Sequence, residues 1–339
     1  MKKFTKGCLL TALVLLIVGC AFYGVGGLMG GFRQLESWQG HTFNFWGHNF
    51  KLAYSGFGLW YITDADEFWW GDEKWPEEMS DADRLGAGEA DKTDYQASDI
   101  RNIDIEIGGS HLVIQESEDD YVQIARDFDT REVKYQLKNG TLRVYSEKSY
   151  RWWNGKPRGT IYLYLPKGMS LDSIDLEVGA GTLESIGLEA NEIDVEVDAG
   201  MGMIESLYGN EIDVSTNAGT LEIYEITTKE LSAEVGAGSL SVQNLSAEDV
   251  DLNASTGSLT IEGKVGRNAD IECGAGSISM VLQGAETDYD YQLECAMGEI
   301  NLNGEGYSGL GNERTIKNGG KGIFDVECSM GSIEIYFTD

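Results

Sequence analysis

From about residue 99 onward, apolar and polar residues alternate with a period of two. Ile103, Ile105 and Ile107 are interleaved with Asp104 and Glu106, and the same alternation returns over 121–125, 132–137, 141–145 and 160–165. A β-strand points successive side chains to opposite faces, so each run predicts a strand with one buried face. Asn139-Gly140 falls between two such runs and predicts a tight hairpin. No segment beyond the N-terminal 32 residues shows a helical period.

The alternation then becomes an internal repeat. IDLEVGAGTL at 174–183 returns as IDVEVDAG from 193, IDVSTNAGTL from 212, LSAEVGAGSL from 231, VDLNASTGSL from 250 and ADIECGAGSI from 269. Gly181, Gly200, Gly219, Gly238, Gly257 and Gly276 recur every 19 residues, with looser copies at Gly298 and Gly331. In the second copy, DAGMGM, Gly202 competes with Gly200 for the turn. Strand, glycine turn and strand in fixed order describe one coil of a parallel β-helix, or β-solenoid, which buries its apolar face only by stacking on its neighbours. Sequential stacking predicts one ladder of Val178, Val197, Thr216, Val235, Ala254, Cys273, Cys295 and Cys328 before the turn. It predicts a second of Leu183, Ile204, Leu221, Leu240, Leu259, Ile278, Ile300 and Ile333 after it. Eight coils at about 4.8 Å each give a rod of about 38 Å. The glycines are expected to let the chain turn through conformations closed to other residues. Residues 99–165 are expected to cap the N-terminal end. The last strand, 333–337, is expected to leave an open edge that invites edge-to-edge self-association.

The N-terminus reads differently. Lys2, Lys3 and Lys6 in the basic segment 1–7 precede an almost uncharged run over 8–32, long enough for one transmembrane helix. The lysines place the N-terminus in the cytoplasm and everything after residue 32 outside it. Ile17-Val18-Gly19-Cys20 also resembles a lipoprotein processing site with Cys20 as the lipidated residue; both readings put the bulk of the chain on the outer face. Residues 33–97 hold an aromatic juxtamembrane stretch, with Trp38, Trp46, Trp60, Trp69, Trp70 and Trp75, followed by an acidic linker. The solenoid ectodomain spans 98–339, with the repeats over 174–339.

Charge narrows the partners. With 25 Lys plus Arg against 57 Asp plus Glu, the net charge is −32, which repels nucleic acid and favours cations and cationic partners. Asp175, Asp194, Asp213, Asp251 and Asp270 share one outward repeat position; Glu177, Glu196, Glu234, Glu272, Glu294 and Glu327 share another. Stacked like charges repel, and calcium could relieve them, so Asp175, Asp194, Asp213, Glu177 and Glu196 are the candidate calcium ligands. The repeat lacks the calcium-binding loop of β-roll proteins, and Ser215, Ser232 and Asn253 interrupt the ladders. A plain solvated acidic face is the competing reading, and no other cofactor is implied.

Five cysteines without CxxC spacing argue against a disulfide framework or a zinc site; Cys273, Cys295 and Cys328 read as core residues. The glycine-rich insertion over 301–322, with Tyr307, Arg314, Lys317 and Lys321, is a candidate binding loop, and Trp152-Trp153 a candidate sugar-stacking pair or end cap. No nucleophile elbow, metal motif or phosphate loop is present, and the histidines are His41, His48 and His111.

The anchor, the stretch GTIYLYLPKGMSLDSIDLEVGAG at 159–181, the GAG-type repeats and the closing IFDVECSMGSIEI at 323–335 resemble a bacterial "putative adhesin" family of unknown function with β-strand repeats, common in Gram-positive bacteria. The resemblance implies a membrane-anchored, extracytoplasmic solenoid and supplies no catalytic residues. The expected function is an adhesin-like binding or scaffold protein at the cell envelope that is not an enzyme. Its partner would be a cell-wall polymer or an envelope protein. An accessory or sensor role in a cell-envelope stress response is the alternative, and a polysaccharide-active β-helix enzyme is the rival from another class.

Overall fold

The structure, a computed structural model, describes residues 42–45, 48–54, 60–64, 83–84, 92–127, 133–146, 159–308 and 311–338. The anchor at 8–32, Cys20 and Trp152-Trp153 lie outside the described residues. Among those described, no helix is long and apolar enough to cross a membrane. The chain divides into two compact units, 1–72 and 73–339. In the first, Thr42–Phe45, His48–Tyr54 and Trp60–Asp64 form an antiparallel meander, with Phe43 opposite Phe50 and Leu52 opposite Ile62.

The second unit is an all-β solenoid. Each coil gives one strand to a first parallel sheet and, after a glycine turn, one to a second. Along the first sheet the spatial order is Thr141–Ser146, Asn102–Ile107, Leu171–Val178, Leu188–Val197, Glu211–Thr216, Glu230–Val235, 249–254, 268–273, Gly322–Cys328 and Tyr289–Cys295. The second sheet runs alongside in the same order, from Thr160–Pro166 and His111–Ser117 to Ser332–Thr338 and Glu299–Leu302. Among the described residues there are thus ten coils, not eight, and the stack is about 48 Å long at the usual strand spacing. Asn102–Ile107 with His111–Ser117, and Thr141–Ser146 with Thr160–Pro166, each add a strand to both sheets rather than capping them.

The order also departs from the sequence at both ends. The coil that comes first in the chain, 102–117, lies inside the later coil 141–166. The coil that comes last, 322–338, lies between 268–283 and 289–302. Glycines allow the late insertion: a Cβ on Gly322 would lie 1.5 Å from the Arg267 carbonyl oxygen, and one on Gly320 2.3 Å from that of Asp288. Ser332–Thr338 therefore pairs with Ser277–Gln283 on one side and with Glu299–Leu302 on the other, and is not the open edge expected of it.

The outermost positions are taken by antiparallel strands. At one end these are Lys92–Gln96, Tyr121–Arg126, Val133–Lys138 and the short Asp83–Arg84, so parts of the segment read as linker are paired strands. At the other end, the insertion read as a binding loop forms Glu305–Ser308 and Asn312–Ile316. Tyr307 is buried with Arg314 stacked 4.6 Å over its ring, so these residues close the apolar end of the stack. The Asp290 carboxylate accepts backbone N–H groups from Gly320 (3.3 Å), Asn318 and Gly319 (2.8 Å each), which holds its carboxyl below the usual range and pins the return of the chain.

The core is a set of single-residue ladders. Ile103, Ile174, Ile193, Ile212, Leu231 and Val250 stack in register, and all are buried. In the second sheet Gly202, not Ile204, stands in the Leu183–Leu221 ladder, while Ile204 pairs with Ser185 and Ile223. Gly200 holds the turn. A Cβ on Gly202 would meet Leu221 Cδ1 at 2.6 Å, so Leu221 already fills the space a side chain at 202 would need. Cys328 stacks between Cys273 and Cys295; all three are buried free thiols, and burial pushes the Cys328 thiol up to about 11.

Candidate functional site

The outer face of the first sheet is built by the same alternation that builds the core: every residue between two inward apolar positions points out. Asp104, Asp175, Asp194 and Asp213 stack in register in four consecutive coils. Ser232 interrupts, and Asp251, Asp270 and Asp325 resume the ladder. Two residues along each strand runs a second ladder of Glu106, Glu177, Glu196, Ser215, Glu234, Asn253, Glu272, Glu327 and Glu294. The result is a sheet of carboxylates spaced about 4.8 Å between coils and about 6.8 Å along each strand.

Asp104, Glu106 and Asp325 escape a reading by glycine spacing. The first coil carries Gly-Gly-Ser where the repeat copies end their turn in glycine, as in Gly-Ala-Gly at 179–181, and the last two copies are separated by the insertion. The signal that finds these acids is the strand text itself, IDIEI at 103–107 and FDVEC at 324–328, which matches IDLEV at 174–178.

These acids repel one another. The Asp175 carboxyl is raised to about 6, first by the protein packed around it and then by Asp104, Asp194, Glu177 and Glu106. Burial and neighbouring carboxylates also raise Asp194, Asp213 and Asp251, and Glu327 beside Glu294 and Glu272. Relief is local. Arg143 Nε lies 2.9 Å from Asp104 at one end, Arg267 forks onto Asp249, and Asn217 donates to Glu196 at 3.0 Å and to Asp198 at 2.7 Å. The five candidate calcium ligands, Asp175, Asp194, Asp213, Glu177 and Glu196, thus share one surface. Even so, no group of three or more His, Cys, Asp or Glu side chains among the described residues is placed to hold a metal ion.

The turn glycines hold this lattice in register, by a mechanism other than the one expected. None of Gly181, Gly200, Gly219, Gly238, Gly257, Gly276, Gly298 and Gly331 lies in the left-handed region. Each instead sits directly over a backbone carbonyl of the coil beneath. A Cβ on Gly200 would be 2.2 Å from the Gly181 oxygen, and one on Gly276 2.2 Å from that of Gly257. The residue after each glycine donates its N–H to that same oxygen, as Met201 does to Gly181 (3.1 Å) and Ser277 to Gly257 (2.9 Å). Glycine is required because the coils approach too closely for a side chain.

The profile of the family described as Toastrack DUF4097 matches residues 100–335, from the first coil to the last. The chain belongs to this family. Similar solved structures include a "putative adhesin" from Bacteroides fragilis (14% identity, 73% of this chain and 97% of that one, TM-score 0.43) and another from Parabacteroides merdae (15%, 74% and 97%, 0.44). A "putative lipid binding protein" from Parabacteroides distasonis is similar to the same extent (15%, 74% and 98%, 0.42). At these values the likeness extends to neither ligand nor activity. A comparison with the curated proteins finds no match. Membership of the DUF4097 family therefore brings a fold.

Proposed function

We propose that the chain is a non-catalytic, adhesin-like binding scaffold of the cell envelope, held at the membrane by its N-terminal segment, whose carboxylate sheet engages cationic groups. One observation supports this reading: like-charged side chains stand in register over successive coils, with carboxyls raised by burial and mutual repulsion. In water-like dielectric, two carboxylates at coil spacing oppose each other by about 1 kcal/mol, and more where protein displaces solvent. A rigid ladder cannot spread to lower that energy, whereas a multivalent cation or a cationic polymer can. Wall polymers that carry their own anions would be bridged through calcium shared between the two surfaces.

The test is co-sedimentation of the protein with cell-wall sacculi, in calcium and in chelator. Pelleting that requires calcium supports a cation-bridged wall contact on the carboxylate sheet. Pelleting that ignores the chelator removes calcium from the proposal. Failure to pellet under both conditions removes the wall as the partner.

A further inference from the structure

The second sheet carries a different surface. Most coils present small or acidic residues at its outward positions: the position held by Glu184 and Glu222 becomes Ser241, Thr260 and Ser279 farther along. Near the N-terminal end the pattern breaks. Met203 stands between Glu184 and Glu222 and is 51% exposed; Tyr224, one coil on, is 55% exposed. With Val113 and Ile186 they line a groove of about 420 Å³ that crosses five successive coils, from Gln115 to Gln243. The apolar residues form a zigzag along the groove, and Glu184, Glu205 and Glu222 alternate with them. None of the residues lining it is basic. Glu184 also faces His111 Nε2 at 3.4 Å.

An apolar strip exposed within a rim of carboxylates selects a partner that is apolar on one stripe and basic beside it. Its length selects the partner's form. Five coils span about 19 Å, the length of about 13 helical residues. One turn of helix rises about 5.4 Å, close to the coil spacing, so a helix laid along the stack presents about one turn to each coil. We propose that this groove docks a basic amphipathic helix, its apolar stripe on Met203 and Tyr224 and its lysines or arginines on Glu184, Glu205 and Glu222. The surface is separate from the carboxylate sheet, and the proposal does not depend on envelope attachment.

The experiment uses the full chain in mild detergent and a fluorescent 18-residue peptide with leucines at helical i, i+3, i+4, i+7 spacing and lysines elsewhere. Controls are a scrambled peptide of equal composition and one with glutamate replacing lysine. Binding is read by anisotropy at two salt concentrations. The expected result is binding of the amphipathic basic peptide alone. That binding should weaken at least tenfold in Met203→Ser/Tyr224→Ser, which leaves the charge unchanged, and three- to tenfold in Glu205→Gln/Glu222→Gln. It should change less than twofold in Asp251→Asn/Asp270→Asn, which removes the same charge from the carboxylate sheet. These side chains all point outward, so each variant is expected to fold, as circular dichroism will check. Equal binding of the scrambled peptide, equal losses in the two charge variants, or no binding at all overturns the proposal. The carboxylate-sheet variant separates this failure from a failure of the scaffold reading.

Discussion

Gly238→Ala tests the account of the turn glycines. The added Cβ would lie 2.2 Å from the Gly219 oxygen, 2.9 Å from its nitrogen and 3.1 Å from the Ala218 carbonyl carbon, all backbone atoms that cannot rotate away. To restore an ordinary 3.4 Å contact, the coil must retreat by about 1.2 Å. That displacement stretches the Ser239 N–H bond to the same oxygen from 2.9 Å to about 4 Å, beyond hydrogen-bonding range. Losing a buried backbone partner costs about 1–3 kcal/mol, and the overpacking strain costs about as much again. The expected destabilisation is therefore about 2–6 kcal/mol. Gly266→Ala is the control: the site is exposed, and its nearest backbone oxygen would be 3.4 Å away, so the change should lie within about 0.5 kcal/mol of zero or stabilise slightly. Urea unfolding of both variants, followed by circular dichroism, measures the difference. A loss below about 1 kcal/mol for Gly238→Ala, or equal losses at the two sites, would refute close approach as the reason for the glycine column.

Two further expectations concern titration and thiols. Because the Asp175 carboxyl is raised to about 6 in the folded chain, the native state binds its proton more tightly than the unfolded one. Stability should rise as pH falls from about 6 towards about 4, then fall as Asp249 and Asp290, whose carboxyls are lowered, take up protons. Asp175→Asn should add about 1 kcal/mol at pH 7.5, discounted because the side chain reaches solvent, about half of that at pH 5 and little near pH 4; a flat difference across that range in thermal melts counts against the repulsion argument. Cys273, Cys295 and Cys328 should resist a thiol reagent in the native solenoid and react as three thiols in denaturant, and rapid native labelling would contradict their placement.

Strand text and repeat period carried much of the fold. The in-register stacking of Asp175, Asp194 and Asp213 follows from alternation plus the 19-residue spacing, because both fix which side chain lies above which. The order of the outer coils was not legible. Hydrogen-bonding partners of a strand depend on where the connecting chain can pass, and the pairing of 324–328 with 269–273, with Gly322 close against Arg267, is visible only in the folded chain. The first coil went unrecognised because Ser110 takes the glycine position. The groove on the second sheet was hidden for the opposite reason. Met203 and Tyr224 are departures from the repeat, and a reading built on what recurs passes over what does not.

The inward placement of the two chain-terminal coils has a consequence for how the solenoid comes apart. A repeat stack ordinarily frays from its ends, and its first and last units exchange amide hydrogens fastest. Here the first and last coils in chain order are bonded on both sides through Asn102–Ile107 and Gly322–Cys328. A pull at the C-terminal end of the solenoid therefore loads two ladders lengthwise at once instead of peeling an outer coil, because Ser332–Thr338 is also paired on both sides. Fraying must begin at the edge strands, Asp83–Arg84 and Lys92–Gln96 at one end and Glu305–Ser308 and Asn312–Ile316 at the other, and slow hydrogen exchange is expected in Asn102–Ile107 and Gly322–Cys328.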